Sequence, residues 1–164
     1  MTTDSSAFAS VEAAAFWRFL SQTLDQFVQM MDGLAVEELN WRPPAPDTNS
    51  IYVLASHTLG NVRWSILELL GGEHVNRDRD QEFQSIADAS NVPMPGWTAL
   101  RADLERAMAG LAAEAMDGRF AHPVFGDLSG REVLIAVTRH AAEHLGHAQV
   151  ARDSVLAGRN TERR

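Results

Sequence analysis

Three of the six histidines in this chain fall within eight positions, in the stretch RHAAEHLGHAQVARD that runs from residue 139 to residue 153. At about 100° per residue on a helical wheel, with His140 at zero, His144 falls at about 40° and His147 at about 340°, so the three share one face. Val133, Val137, Ala151 and Val155 fall on that same face, which is the apolar stripe a helix turns toward a core. The imidazoles therefore interrupt the buried side of the helix. Buried ring nitrogens need partners, because an unpartnered polar group costs about 2–7 kcal/mol to bury. A metal ion satisfies two or three of them at once, and the i, i+4 spacing of His140 and His144 stacks two imidazoles within reach of a single ion.

A third ligand must come from another element. His57 is the leading candidate, on the flank of the stripe formed by Ile51, Leu54, Ala55, Val62 and Leu69; His74 and His122 fall in breaker-rich loops and are weaker choices. Di-iron carboxylate bundles need Glu-x-x-His on two helices, and that motif is absent from the sequence. HAAEH at 140–144 matches the inverted zinc-protease motif H-x-x-E-H, but only about 20 residues follow it, too few for the further acidic ligand of that class. Glu143 at about 300° and His147 at about 340° flank the pair, where a base or a hydrogen-bond donor would face an open metal position.

Four long helical patterns position these residues: Phe8 to Met31, Ile51 to Leu70, Trp97 to Met116, and Arg131 to Leu156. LNWRPPAPDTNS separates the first two and ends on Asn49 and Ser50, either of which can cap a helix. Gly71 and Gly72 stop the second helix. The polar segment from Glu73 to Gly96, which contains NRDRDQE, reads as a crossover. AHPVFGDLSG reads as a loop with Ser129 as a cap, and GRNTERR as a disordered tail over 158–164. No strand alternation or repeat is evident, so the expected fold is all-α, a single four-helix bundle over 1–157.

Composition narrows the function. The net charge of -8 argues against nucleic acid and anionic membrane surfaces as partners. There is no cysteine, so no disulfide, no thiolate ligand and no cysteine nucleophile. No apolar run reaches a membrane span and the N-terminus lacks signal-peptide character, so a cytoplasmic location is expected. Large apolar residues beyond a narrow seam, Phe16, Trp17, Phe27, Trp97 and Leu104, raise the expectation of a homodimer.

WRPPAPDTNSIYVLASHTLGNVRWS (41–65), the crossover, and RHAAEHLGHAQVARD together resemble the DinB/YfiT-like superfamily, in particular members related to mycothiol- and bacillithiol-dependent enzymes. The resemblance spans most of the chain. It implies an up-down-down-up bundle and assigns the metal-ligand role to His57, His140 and His144. Many members carry Gln where His147 stands, which leaves that residue as a fourth ligand, a donor beside the ligands or a substrate contact. Three neutral nitrogens and an open position suit Zn or Ni; the ion would either activate water, giving a hydrolase, or bind a thiol as thiolate. The resemblance implies the second, a thiol-dependent S-transferase or isomerase using a low-molecular-weight thiol on a small electrophile. A non-catalytic, metal-stabilised binding module is the competing class. Arg63, Arg139, Trp41 and Arg42 are candidate contacts to an anionic or sugar-bearing substrate.

Overall fold

The computed structural model describes residues 7–92, 94 and 96–162, with 160–162 as backbone only; the expectations for residues 1–6, Arg163 and Arg164 lie outside the described residues. The chain forms α1 (Val11–Gln29), α2 (Val36–Asn40), α3 (Ile51–Arg63), α4 (Arg79–Phe83), α5 (Trp97–Gly110), α6 (Ala113–Asp117), strands β1 (Arg119–His122) and β2 (Gly126–Ser129), and α7 (Gly130–Glu162). It is an all-α bundle of α1, α3, α5 and α7, with a small hairpin added.

Contacts between helix ends give the order of the bundle. Glu12 and Arg131, near the starts of α1 and α7, pair at 2.7 Å, so these two helices run parallel. The Ala9 N–H donates to the Ala109 carbonyl at 2.8 Å and Arg101 pairs with Asp25, so α5 runs against α1. Leu54 shares a cavity with Val150, and Ser65 shares one with Val133, so α3 runs against α7. This is the up-down-down-up order, and it requires the crossover between α3 and α5.

Capping residues set the helix starts. Ser10 and Ser50 accept from the N–H groups three residues on, of Ala13 and Val53, which satisfies donors that a helix start leaves free. Ser129 and Glu132 close a reciprocal capping box at the start of α7. Beyond Arg63 the second long helix widens into a π-helical stretch from Trp64 to Leu70, closed by a bond from Gly71 N–H to the Ile66 carbonyl.

Two apolar clusters fill the bundle. One centres on Trp17, Leu20, Leu24, Leu104, Met108 and Leu134. The other centres on Phe27, Met31, Leu39, Ile51, Leu145 and Ala148. Along α3 and α7 the histidines fall where the first cluster gives way to the second, between Leu59 and Ala55 on one helix and between Val137 and Leu145 on the other.

Three expectations are corrected. The third helix ends at Gly110 instead of Met116, because the chain turns extended at Leu111 before the short α6. AHPVFGDLSG is not a loop: it contributes to an antiparallel hairpin in which His122 pairs with Gly126, and Gly126 supplies the positive φ of the turn. Four-residue strands are too short for alternation to show. The tail expected to be disordered is helical through Glu162, because Arg159 pairs with Glu38 and donates to the Gly33 carbonyl. Of the residues that raised the homodimer expectation, Trp17, Phe27 and Leu104 are fully buried within the chain, and Phe16 and Trp97 are partly buried against the first cluster.

Bonding to Arg159 and the Ala35 N–H holds the Glu38 carboxyl down at about 2. Because the folded value lies below the unfolded one, the contact contributes fully above pH 4.5 and is lost only as the pH falls through about 2. Hydrogen exchange on Arg159→Gln should show several-fold faster exchange in the last turns of α7, with little change elsewhere; unchanged exchange there would remove the anchoring role from this pair.

Candidate metal centre

His57, buried on α3, and His140 and His144, partly buried on α7, turn toward a common point. Nε2 of His140 lies 3.1 Å from Nε2 of His57 and 3.1 Å from Nε2 of His144. One ligand atom from each of the three lies within 4.8 Å of the others. The i, i+4 pair and the α3 histidine therefore meet, across 83 residues of sequence.

Behind His57 stands a carboxylate that sequence reasoning did not single out. Nδ1 of His57 donates to Glu82 Oε2 at 2.9 Å, and Arg77 donates to both oxygens of Glu82 at 2.7 and 2.9 Å. The next residue, Phe83, packs its ring 4.4 Å from that of His57. Burial pushes the Glu82 acid up, but the bonds to Arg77 and His57 outweigh it and hold the group below its ordinary value, as a carboxylate. Gly60 makes room for it: a Cβ there would lie 2.0 Å from Glu82 Oε1. The sequence signal was faint, one acid in the charged run of the crossover, with nothing in its spacing to tie it to His57.

These bonds decide the protonation of the cluster. A neutral imidazole offers one proton and one in-plane lone pair. With its proton on Nδ1 toward Glu82, His57 presents a bare Nε2. His140 Nε2 can complete one of its two contacts as a hydrogen bond, and the other is left without a proton of its own. Nδ1 of both His140 and His144 is buried with no partner among the described residues. A divalent ion resolves the conflict by taking a lone pair from each ring. Metal–nitrogen distances of about 2.0–2.1 Å place neighbouring ligand nitrogens about 2.9–3.4 Å apart at angles from 90° to tetrahedral. Both separations from His140 fall in that range, and the third pair lies within 4.8 Å, so this histidine group could hold a metal ion.

Burial, and then the neighbouring imidazoles, depress His140 to about 3; burial, His57 and His147 depress His144 to about 4. Both rings are neutral at pH 7, the form that ligates.

Two cavities flank the centre. One of about 250 Å³ lies on the His140 side, walled by Trp64, Val133, Val137 and the hairpin residues His122 and Phe125. The other, about 410 Å³, lies on the His144 side, between His147, Leu54 and Val150 and the proline-rich loop residues Asp47, Thr48 and Asn49. His147 is exposed, with its ring centroid 6.0 Å from that of His144. Glu143 is exposed, lies 3.5 Å from Arg139, and is not among the described residues lining either cavity. Of the arginines expected near substrate, Arg139 lines the first cavity; Arg63 faces a polar cleft behind Glu82, and Arg42 a separate groove beside the proline-rich loop. Trp41 lines neither flanking cavity. His74 is exposed away from the cluster, and His122 belongs to the cavity wall.

Fold and site together define a helical bundle with a three-histidine centre between facing helices. Residues 15–157 match the family model described as mycothiol-S-transferase, and the chain belongs to that family. Among solved structures it is similar to one titled the conserved protein of locus from Enterococcus faecalis, at 16% identity and a TM-score of 0.66, covering 87% of this chain and 96% of that one. That likeness is one of fold. No curated protein matches the chain.

Two predictions follow from the centre's hydrogen bonds and burial. Glu82→Ala leaves the buried His57 Nδ1 and Arg77 without their acceptor, which should cost about 3–5 kcal/mol and lower Tm by roughly 10 °C. A drop under about 2 °C would show that the carboxylate carries no structural weight. In chelator-treated protein, His140 and His144 bind protons only below about 4, whereas an unfolded histidine does so near 6.5. The unfolded state therefore takes up more protons between these values, and stability should fall as the pH drops from 6.5 toward 4. Replacing His140 with Gln should reduce that slope in pH-dependent melting.

Proposed function

We propose that the protein is a metal-dependent thiol S-transferase that joins a low-molecular-weight thiol to a small electrophile. The observation that carries this reading is the convergence of three imidazoles between two cavities, in a chain of the mycothiol-S-transferase family. His57, His140 and His144 would hold one divalent ion, with zinc and nickel the best matches to an all-nitrogen set. When bound, the ion supplies Lewis acidity that favours thiolate over thiol near neutral pH.

The residues divide the remaining work. Glu82 fixes the His57 tautomer and ring plane, and Arg77 fixes Glu82. Asp47, Thr48 and Asn49 present polar groups to the thiol from the His144 side, and His147 stands on the same side to accept the thiol proton and pass it to solvent. The sulfur pair then forms the S–C bond while the leaving group departs with the pair of the bond it breaks. Glu143, turned toward Arg139, influences the centre through its charge on His144. With no cysteine in the chain, the sulfur is supplied by the cosubstrate.

Metal content should be close to one per chain in protein purified without a histidine tag, and His144→Ala should abolish it while helical circular dichroism persists. His147→Gln should keep the metal within about a factor of two, as for a group that does not ligate, yet lower the rate of thiol conjugation to a halogenated aromatic or epoxide. Retention of stoichiometric metal by His144→Ala would defeat the ligand assignment. Tight metal binding without conjugation across several thiols would instead leave a metal-stabilised binding module.

A further inference from the structure

The cavity on the His140 side differs in charge from the one on the His144 side. In a protein of net charge -8, three arginines, Arg77, Arg79 and Arg139, line it, and no aspartate or glutamate is among the described residues of its wall. Arg77 is neutralised by Glu82. Arg79 lies over the Phe83 ring at 4.8 Å and forms no ion pair among the described residues; Arg139 has only the exposed Glu143, at 3.5 Å. Arg79 thus stands at this cavity without an ion-pair partner among the described residues, and Arg139 is paired only with a carboxylate on the exposed side of α7. The opposite cavity reverses the pattern, with Asp47 in its lining and no arginine among the described residues there.

The rest of the wall is aromatic and apolar. Trp64 meets His122 edge to face at 5.5 Å, and His122 stacks on Phe125 at 4.9 Å. Val124 and Phe125, at the hairpin tip, remain 76% and 52% exposed, apolar surface that the fold itself does not cover. His122 is fixed in one tautomer, because its Nδ1 accepts from the N–H groups of Val124 and Phe125 at 3.1 and 3.3 Å. The proton of the neutral ring is therefore on Nε2, a donor with no acceptor drawn from the hairpin turn.

We propose that this cavity binds a small, flat, apolar molecule carrying one anionic group, an arylcarboxylate in the simplest case, with its ring against Trp64 and Phe125 and its charge at Arg79 and Arg139. The volume, about 250 Å³, lies below the ~300–1,000 Å³ of drug-sized sites and limits the ligand to about one ring. A guanidinium pairs with a carboxylate through two parallel hydrogen bonds, which selects a planar anion over a neutral isostere. On the thiol-transfer reading, this ligand is the electrophile and the Asp47 side takes the thiol; the binding itself requires no thiol.

The test uses the full metal-loaded chain and two unreactive probes, 4-methylbenzoate and its neutral counterpart 4-methylbenzamide, titrated calorimetrically without thiol. The benzoate should bind at least about tenfold more tightly than the amide, a margin expected when a charge-assisted pair is gained. The double variant Arg79→Gln, Arg139→Gln should erase that margin while leaving amide affinity and metal content unchanged. Trp64→Ala should weaken both probes, whereas Val150→Ala, in the opposite cavity, should weaken neither. Equal affinity for the two probes overturns the proposal. So does benzoate binding that survives the double arginine variant but is lost on metal removal, since the carboxylate would then sit on the ion. Weakening by Val150→Ala comparable to that of the arginine variant would place the ligand in the other cavity and overturn it as well. Because no turnover enters the measurement, absence of thiol conjugation would count against the S-transferase reading and leave this result standing.

Discussion

The carboxylate of Glu82, half-buried between Arg77 and His57, is the interaction on which the arrangement of the centre depends. A lone carboxylate in that position would be costly to bury. Two hydrogen bonds from Arg77 and one from His57 keep it ionised. In return it sets which nitrogen of His57 carries the proton. It also joins the crossover to the bundle, because α4, which carries it, has no buried residue and is held by this contact together with Phe83 against the His57 ring. Gly60 belongs to the same unit, since any side chain there would occupy the space of the Glu82 carboxylate.

From that constraint the chemistry of the α7 histidines follows. A bare Nε2 on His57 faces His140, and His140 in turn faces His144. Packing around them excludes water enough to keep both α7 rings neutral. Their position where two apolar clusters meet leaves space on either side, so the bundle has a cavity against each of the two α7 histidines of the cluster. The antiparallel course of α3 and α7 makes this possible: it sets the start of α3 against the later part of α7, opposite the proline-rich loop, and the π-helical end of α3 against the beginning of α7, opposite the hairpin.

The elements around the two cavities differ in kind. On one side irregular chain supplies short polar side chains; on the other a hairpin supplies rings and the crossover supplies arginines. Long connections that pass over the mouth of a rigid bundle commonly carry its specificity. Here they also supply the partner of a buried ring, which ties the order of the crossover to the state of the centre.

The helices, the second start at Asn49 or Ser50 and the last at Ser129, and the shared face of His140 and His144 were legible from the sequence, because they rest on local periodicity and capping, which span at most a few turns. The crossover was legible as an element, but its content was not. Nothing local connects Glu82 to His57, 25 residues earlier; only the fold brings them together, and the same holds for Arg159 with Glu38. The hairpin was hidden because strands of four residues carry too little pattern. The wheel placed Glu143 and His147 beside the His140–His144 pair alike, yet one turns to Arg139 on the outside and the other lines a cavity. A helical wheel fixes the angle about one axis, while the neighbouring elements decide which angles face a cavity and which face solvent. The sequence by itself thus determined which residues could ligate and which helix carried two of them. The tertiary structure decided what stands behind and beside them, because those contacts are made between segments whose separation in the chain leaves no local trace.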